Sequence, residues 1–390
     1  MSTAARQLLV RDAGGRHRRL MSASPRTIVK ISSPADILGV VPHRVGFHPA
    51  ESIVVICLHG ARRRDGLLMR LDLAPPEHDD VVARDLSTKA AHVKASGAVL
   101  VCYTEARGDG SDLPRQHLIE ALVERLSSHD IEVIEALLVH DGRWWSYVCD
   151  QPSCCPPDGT ELLACLSPAA AHYAAEVVAD GGAVLTDRTE LERSIRPPRN
   201  PVADAVRRQT LEWAGARVMT ILRDGGADVL IAQTMDLLRS LVRRWAEGSR
   251  ELTVDEASLV ILGLGMKSAR DEAATLLLDV DREVLLALLV GLARTADDGD
   301  AAPICTVLAW VAYAHGHGAL ANVAVERALD ADPDYEMARL IEDAMARLIE
   351  PSAIRAVTRD VREDLKAAGR PAPGPAAPPP ESAGRRRRRR

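Results

Sequence analysis

The chain has 390 residues, 47% hydrophobic but only 3% aromatic, so one or two sizeable cores must be built mainly from aliphatic side chains. Its net charge of −6 is uneven: residues 1–26 carry +5 and residues 351–390 carry +7, leaving −18 on the stretch between them. A body that acidic repels phosphate backbones, no run of about 18 apolar residues exists to cross a bilayer, and seven cysteines do not suit a disulfide framework.

Residues 1–26 read as a flexible basic arm without the apolar run of a secretory signal, which points to the cytoplasm. Ser33-Pro34-Ala35-Asp36 predicts a capped helix start, and that helix ends before Gly46-Phe47. The apolar run Ile53 to Leu58 predicts a strand covered on both faces. A turn at Asp65-Gly66 should lead into a second strand, with Met69, Leu71 and Leu73 on one face and Leu68, Arg70 and Asp72 on the other. Helical spacing over 77–95 precedes a strand at Ala98–Tyr103. Leu118, Leu122 and Leu126 mark another helix before a strand at Ile131–Val139. Asp141-Gly142 is a two-residue hairpin signal into Trp144–Val148, and helices follow at Pro168–Ala179 and Thr189–Ile195. The order predicts a mixed sheet flanked by helices. Two helical crossovers should lay three strands side by side in one direction, with hairpins adding antiparallel edges.

Arg196-Pro197-Pro198-Arg199-Asn200-Pro201 breaks the composition, so an α/β domain is expected over 27–197 and a helical domain over 198–350. Thr253 with Glu256, and Ser268 with Asp271, read as capping boxes. Gly316, Ala321, Ala328 and Pro333, with Leu308 packing inward, stand at tetratricopeptide-type spacings. They cover about one repeat, and small-residue packing in an ordinary bundle explains them nearly as well. The fold class expected is therefore α/β followed by an all-α, partly tetratricopeptide-like domain. Residues 351–390, rich in proline and arginine, read as a disordered tail.

Several segments are similar, in order, to the actinobacterial family called domain of unknown function 4192. They are Ser33-Pro34-Ala35-Asp36, Gly46 to Ser52, Arg70-Leu71-Asp72-Leu73, the stretch from Trp144 to Gly159, and the Ala-rich end through Asp332-Pro333-Asp334-Tyr335. The resemblance implies a bacterial cytoplasmic protein and carries no assigned activity. His43-Arg44 departs from the more apolar pair expected there.

Parallel strands gather chemistry at their carboxyl ends, which puts Asp72, Glu105, Arg107, Asp109 and Asp141 on one rim. Asp72 and Glu105 are the catalytic candidates. Arg70, Arg107, Asp109 and Trp144 join them as candidate ligand contacts, against the plainer reading of a solvated acidic rim. Trp144 and Trp145 point to opposite faces of their strand, so only one can line a pocket. Cys149, Cys154, Cys155 and Cys165 are weak metal candidates, because Cys154 and Cys155 are adjacent and such side chains diverge. Sulfurs filling a corner behind Pro156-Pro157 is the preferred reading. No Walker loop or dinucleotide fingerprint occurs, and no cofactor is implied. Arg385, Arg386, Arg387, Arg388, Arg389 and Arg390 could touch nucleic acid or an acidic partner without reading sequence. The function expected is a ligand- or partner-binding adaptor. A metal-assisted hydrolase using the rim carboxylates and a nucleic-acid accessory protein are the alternatives.

Overall fold

A computed structural model describes residues 10–11, 17–18, 33–108, 112–149, 151–162, 167–179 and 184–367. These fall into two compact units, one drawn from Met1–Ser194 with Ala346–Leu348, the other from Ile195–Met345 with Ile349–Arg390. A two-stranded ribbon pairs β1 (Val10–Arg11) with β2 (His17–Arg18).

The first unit holds a six-stranded mixed sheet. Helix α1 (Pro34–Val45) opens on the expected reciprocal box, with the Ser33 hydroxyl accepting from the Asp36 N–H and the Asp36 carboxylate accepting from the Ser33 N–H at 2.9 Å. It stops at Gly46, whose φ of 91° suits a residue without a β-carbon. Strands β3 (Ser52–His59) and β4 (Arg64–Asp72) follow as a hairpin. Their turn lies at Gly60–Arg63, not at Asp65-Gly66. Gly66 sits inside β4 because a β-carbon there would meet the His59 ring at 2.3 Å, beside the bulge between Ile56 and Leu58.

Helix α2 (Asp79–His92) leads to β5 (Gly97–Tyr103), and α3 (Gln116–Ser128) leads to β6 (Glu132–His140). Asp141 and Gly142 both take positive φ, as a two-residue hairpin turn demands, and deliver β7 (Arg143–Ser146). A short β8 (Thr160–Glu161), unforeseen in the sequence, returns to pair with β7. Helices α4 (Pro168–Ala179) and α5 (Arg188–Ser194) complete the unit.

The spatial order is β4-β3-β5-β6-β7-β8. Strands β4, β5 and β6 do run in one direction, but they are not side by side. The antiparallel β3 lies between β4 and β5. The reason is apolar content: β3 is buried from Ser52 to Cys57 and needs neighbours on both sides. Strand β4 carries Arg64, Arg70 and Asp72 and tolerates the edge. Ile53, Val55 and Cys57 of β3 share one core with Leu100 and Leu138 and with Leu118, Leu122 and Leu126 of α3. Each fully buried leucine contributes about 1.5–3 kcal/mol to that layer.

Among the described residues the second unit is built of helices. Helix α6 (Pro201–Ala246) starts on an Asn200 cap and is broken at Gly226, with φ 78° and ψ −177°. Helix α7 (Val254–Gly263) carries the predicted Thr253–Glu256 box. Helix α8 (Lys267–Thr275) does not use Ser268 as its cap. It begins two residues earlier with Met266 at the cap position, because only three residues separate it from α7, and Asp271 turns to Arg270 at 2.7 Å. Then come α9 (Arg282–Ala293), α10 (Ala301–Ala314), α11 (Gly318–Ala331), α12 (Glu336–Ala346) and α13 (Pro351–Ala367). Helices α10 and α11 form a hairpin turned at Gly316, with Leu308, Ala321 and Ala328 fully buried. Arg327 is buried with them and donates to the carbonyls of Ala293 and Ala296, each at 2.7 Å, and to that of Ile195. Among the described residues no helix is long and apolar enough to cross a membrane.

Candidate functional site

The carboxyl ends of β4, β5 and β6 share one sheet edge with the start of β3, which inserts Glu51 among the predicted rim residues. Ser52 pairs with Asp72 on one side and Tyr103 on the other, so Asp72 and the end of β5 stand two strand spacings apart, about 10 Å. Glu51 bridges toward β5: its carboxylate accepts from the Thr104 hydroxyl at 2.9 Å and from the Glu105 N–H at 2.6 Å. Glu105 in turn accepts from the Asp141 N–H at 3.2 Å, with His140 Nδ1 3.9 Å away. The Nδ1 of His140 lies 2.9 Å from the Thr104 carbonyl.

Asp72 and Glu105 therefore share an edge without touching. Asp72 pairs with Arg70 at 2.5 Å, and Arg70 also donates to the Ala50 carbonyl and lies over the Phe47 ring. Their first duty is to hold the entry into β3. Arg107 is exposed on the following loop, and Asp109 lies outside the described residues. Gly108 and Asp112 approach closely, since a β-carbon on Gly108 would meet the Asp112 carbonyl at 1.9 Å. The far end of the loop is clamped by groups that sequence reading passed over. Arg115 donates to the Ala74 carbonyl at 2.8 Å and pairs with the buried Asp79, and the Tyr147 hydroxyl donates to the Pro114 carbonyl. Burial pushes the Asp79 carboxyl up from its ordinary range, against the pull of Arg115. A buried aspartate opening one crossover helix and an arginine before the next were the available signal.

At the other side of the sheet, Trp144 and Trp145 do face opposite ways. Trp144 is buried at 7% exposure, whereas Trp145 packs against the helix-covered core and donates from Nε1 to the Pro157 carbonyl at 3.0 Å. Gly159, at φ 70°, lies so close under that indole that a β-carbon would meet it at 2.4 Å. Arg143 donates to the carbonyls of Asp158 at 2.7 Å and Gly159 at 3.0 Å. The loop from Cys149 to Gly159 is thus tied to β7 by the two side chains that precede it. Within it, the N–H groups of Cys154 and Cys155 both donate to the Gln151 carbonyl, at 3.1 and 2.8 Å.

That turn gathers sulfur. The Sγ atoms of Cys149, Cys154 and Cys155 all lie within 4.8 Å of one another, Cys149 and Cys154 at 3.2 Å. Adjacent cysteines converge because a helical turn rotates successive side chains by about 100°, not the 180° of a strand. Cys154 is exposed and the other two are half-buried. Cys165 lies outside the described residues. Burial, then the neighbouring thiols, pushes Cys155 up to about 12, and hydrogen bonding to Cys149 raises Cys154. A nucleophilic cysteine needs the opposite displacement. Arg385 to Arg390 also lie outside the described residues.

The helical unit carries a groove of about 300 Å³ between α8, α10, α12 and α13. Ala274, Trp310, Met337, Leu340 and Val361 form its apolar walls, and Leu340 is 62% exposed. Arg270, Asp271 and Glu336 stand at its border, with Arg270 also against the Tyr335 ring at 5.7 Å. Trp310 is held by donation to the hydroxyl of Thr358, which also lines the groove, at 2.9 Å.

The family profile described as Domain of unknown function (DUF4192) matches residues 34–352. The chain belongs to the DUF4192 family. That span takes in the sheet, the cysteine loop and the helical unit as far as the start of α13. No curated protein and no solved structure matches the chain.

Proposed function

We propose that this DUF4192 protein is a partner-binding protein of the cytoplasm, whose helical unit seats apolar side chains of a partner peptide. The groove walled by Trp310, Met337 and Leu340 carries this reading. A side chain as large as Leu340, held 62% exposed beside a rigidly anchored tryptophan, gives an apolar group somewhere to bury. The volume is that of a small ligand site or of a few side chains. An odd number of cysteines in a chain of this length suits a reducing compartment.

The hydrolase alternative is less well supported. Glu51 and Glu105 spend acceptor oxygens on Thr104, Glu105 and Asp141, and Asp72 on Arg70, so the rim acids knit loops together. Binding of an environment-sensitive naphthalene fluorophore, competed by amphipathic peptides, tests the groove. Leu340→Glu should weaken it at least about ten-fold at an unchanged melting temperature. Equal binding by Leu340→Glu removes this groove as the site.

A further inference from the structure

Three sulfur atoms converge in the loop between β7 and β8 of the first unit. We propose that Cys149, Cys154 and Cys155 bind one zinc ion as thiolates, leaving its fourth position to a donor from outside these three side chains. Tetrahedral zinc with sulfur at about 2.3 Å sets its sulfurs about 3.8 Å apart. The Cys149–Cys154 pair stands at 3.2 Å, and no pair of the three exceeds 4.8 Å. Shifts of about 1 Å or less, within the reach of χ1 rotation, bring all three to ligand positions.

The loop is built to hold that arrangement. Two N–H groups on the Gln151 carbonyl set the turn that aims adjacent thiols the same way. Trp145 and Arg143 hold the carbonyls of Pro157, Asp158 and Gly159, which fixes the exit of the loop against β7. Packing alone does not account for the cluster: Cys149 and Cys155 are half-buried, but Cys154 is exposed, and the three sulfurs lie within 4.8 Å of one another. An all-sulfur set discriminates against calcium and magnesium and favours zinc among the abundant divalent ions. On binding, three S–H bonds release three protons to solvent and three Zn–S bonds form, with no change of oxidation state. The site then carries a charge of −1, offset by the Arg143 guanidinium held against the same loop.

The full chain, purified under reducing conditions without chelator, should carry about one zinc per molecule by elemental mass spectrometry. Exchange with Co(II) should give sulfur-to-cobalt charge-transfer bands and the intense visible bands of tetrahedral cobalt. This readout needs no substitution. Cys154→Ser, at an exposed position, should lower zinc affinity about ten-fold or more with an unchanged circular-dichroism spectrum. Metal-free protein that takes up no Co(II), a weak octahedral cobalt spectrum, or zinc retained by the triple Cys149→Ala, Cys154→Ser, Cys155→Ala variant would each overturn the assignment. So would purified protein whose Cys149 and Cys154 are joined as a disulfide, because the short contact would then mark a redox pair.

Discussion

Glu51 is the residue on which the sheet edge turns, and removing its carboxylate is the sharpest test of how that edge is held. It accepts from the buried Thr104 hydroxyl and from the Glu105 N–H, joining the start of β3 to the end of β5. A hydrogen bond to a charged group contributes roughly 1.5–3 kcal/mol when its donor is buried, and less where water competes. With one buried donor and one exposed, Glu51→Ala should cost the α/β unit about 2 kcal/mol. The backbone there has φ 40°, but alanine keeps the β-carbon, so strain is the same in both proteins and cancels. Asp72→Ala is the comparison. Its pairing with Arg70, exposed on the carboxylate side, should be worth about 0–1 kcal/mol. Urea unfolding of both variants, with circular dichroism and fluorescence as probes, gives the two values. If Glu51→Ala falls within about 0.5 kcal/mol of wild type, the carboxylate is not what holds the edge, and the case for the rim as structure rather than chemistry fails with it.

Two further outcomes concern the helical unit. Burial, with Arg282 and His315 adding to it, pushes the His317 imidazole down from 6.5 to about 4, so it stays neutral in the folded protein while the unfolded chain protonates it. Its contribution is complete above pH 6.5 and is lost as pH falls toward 4. Wild type should lose about 2 kcal/mol more than His317→Gln between pH 7.5 and pH 5, and equal losses in urea melts would contradict this. Gly263 closes α7 where a β-carbon would lie 2.0 Å from the Thr234 Oγ1 of α6. Gly263→Ala should therefore cost about 1–3 kcal/mol, and Thr234→Gly should restore part of it. A second substitution that adds to the loss instead would deny the close approach.

The elements were legible because each is declared locally. Ser33 and Asp36, Thr253 and Glu256, and Asp141-Gly142 mark their caps and turn through contacts three residues apart or fewer. Where a local sign misled, a neighbour had outvoted it. Asp65-Gly66 became strand because His59 needed the space over Gly66, and Ser268 lost its capping role to a short connection. The candidate site was less legible. Asp72, Glu105 and Asp141 do reach one edge, but Glu51 enters only because β3 lies between β4 and β5.

Chain order and apolar periodicity were enough to establish a mixed sheet with helices, then a helical unit, because both depend on spacing within single segments. Strand adjacency, the Asp79–Arg115 clamp and the meeting of three sulfurs depend on residues brought together across the chain or on the handedness of one turn. A linear pattern does not encode which of two same-direction strands a third will separate. Packing settles that, by burying β3 on both sides and leaving the charged β4 at the margin.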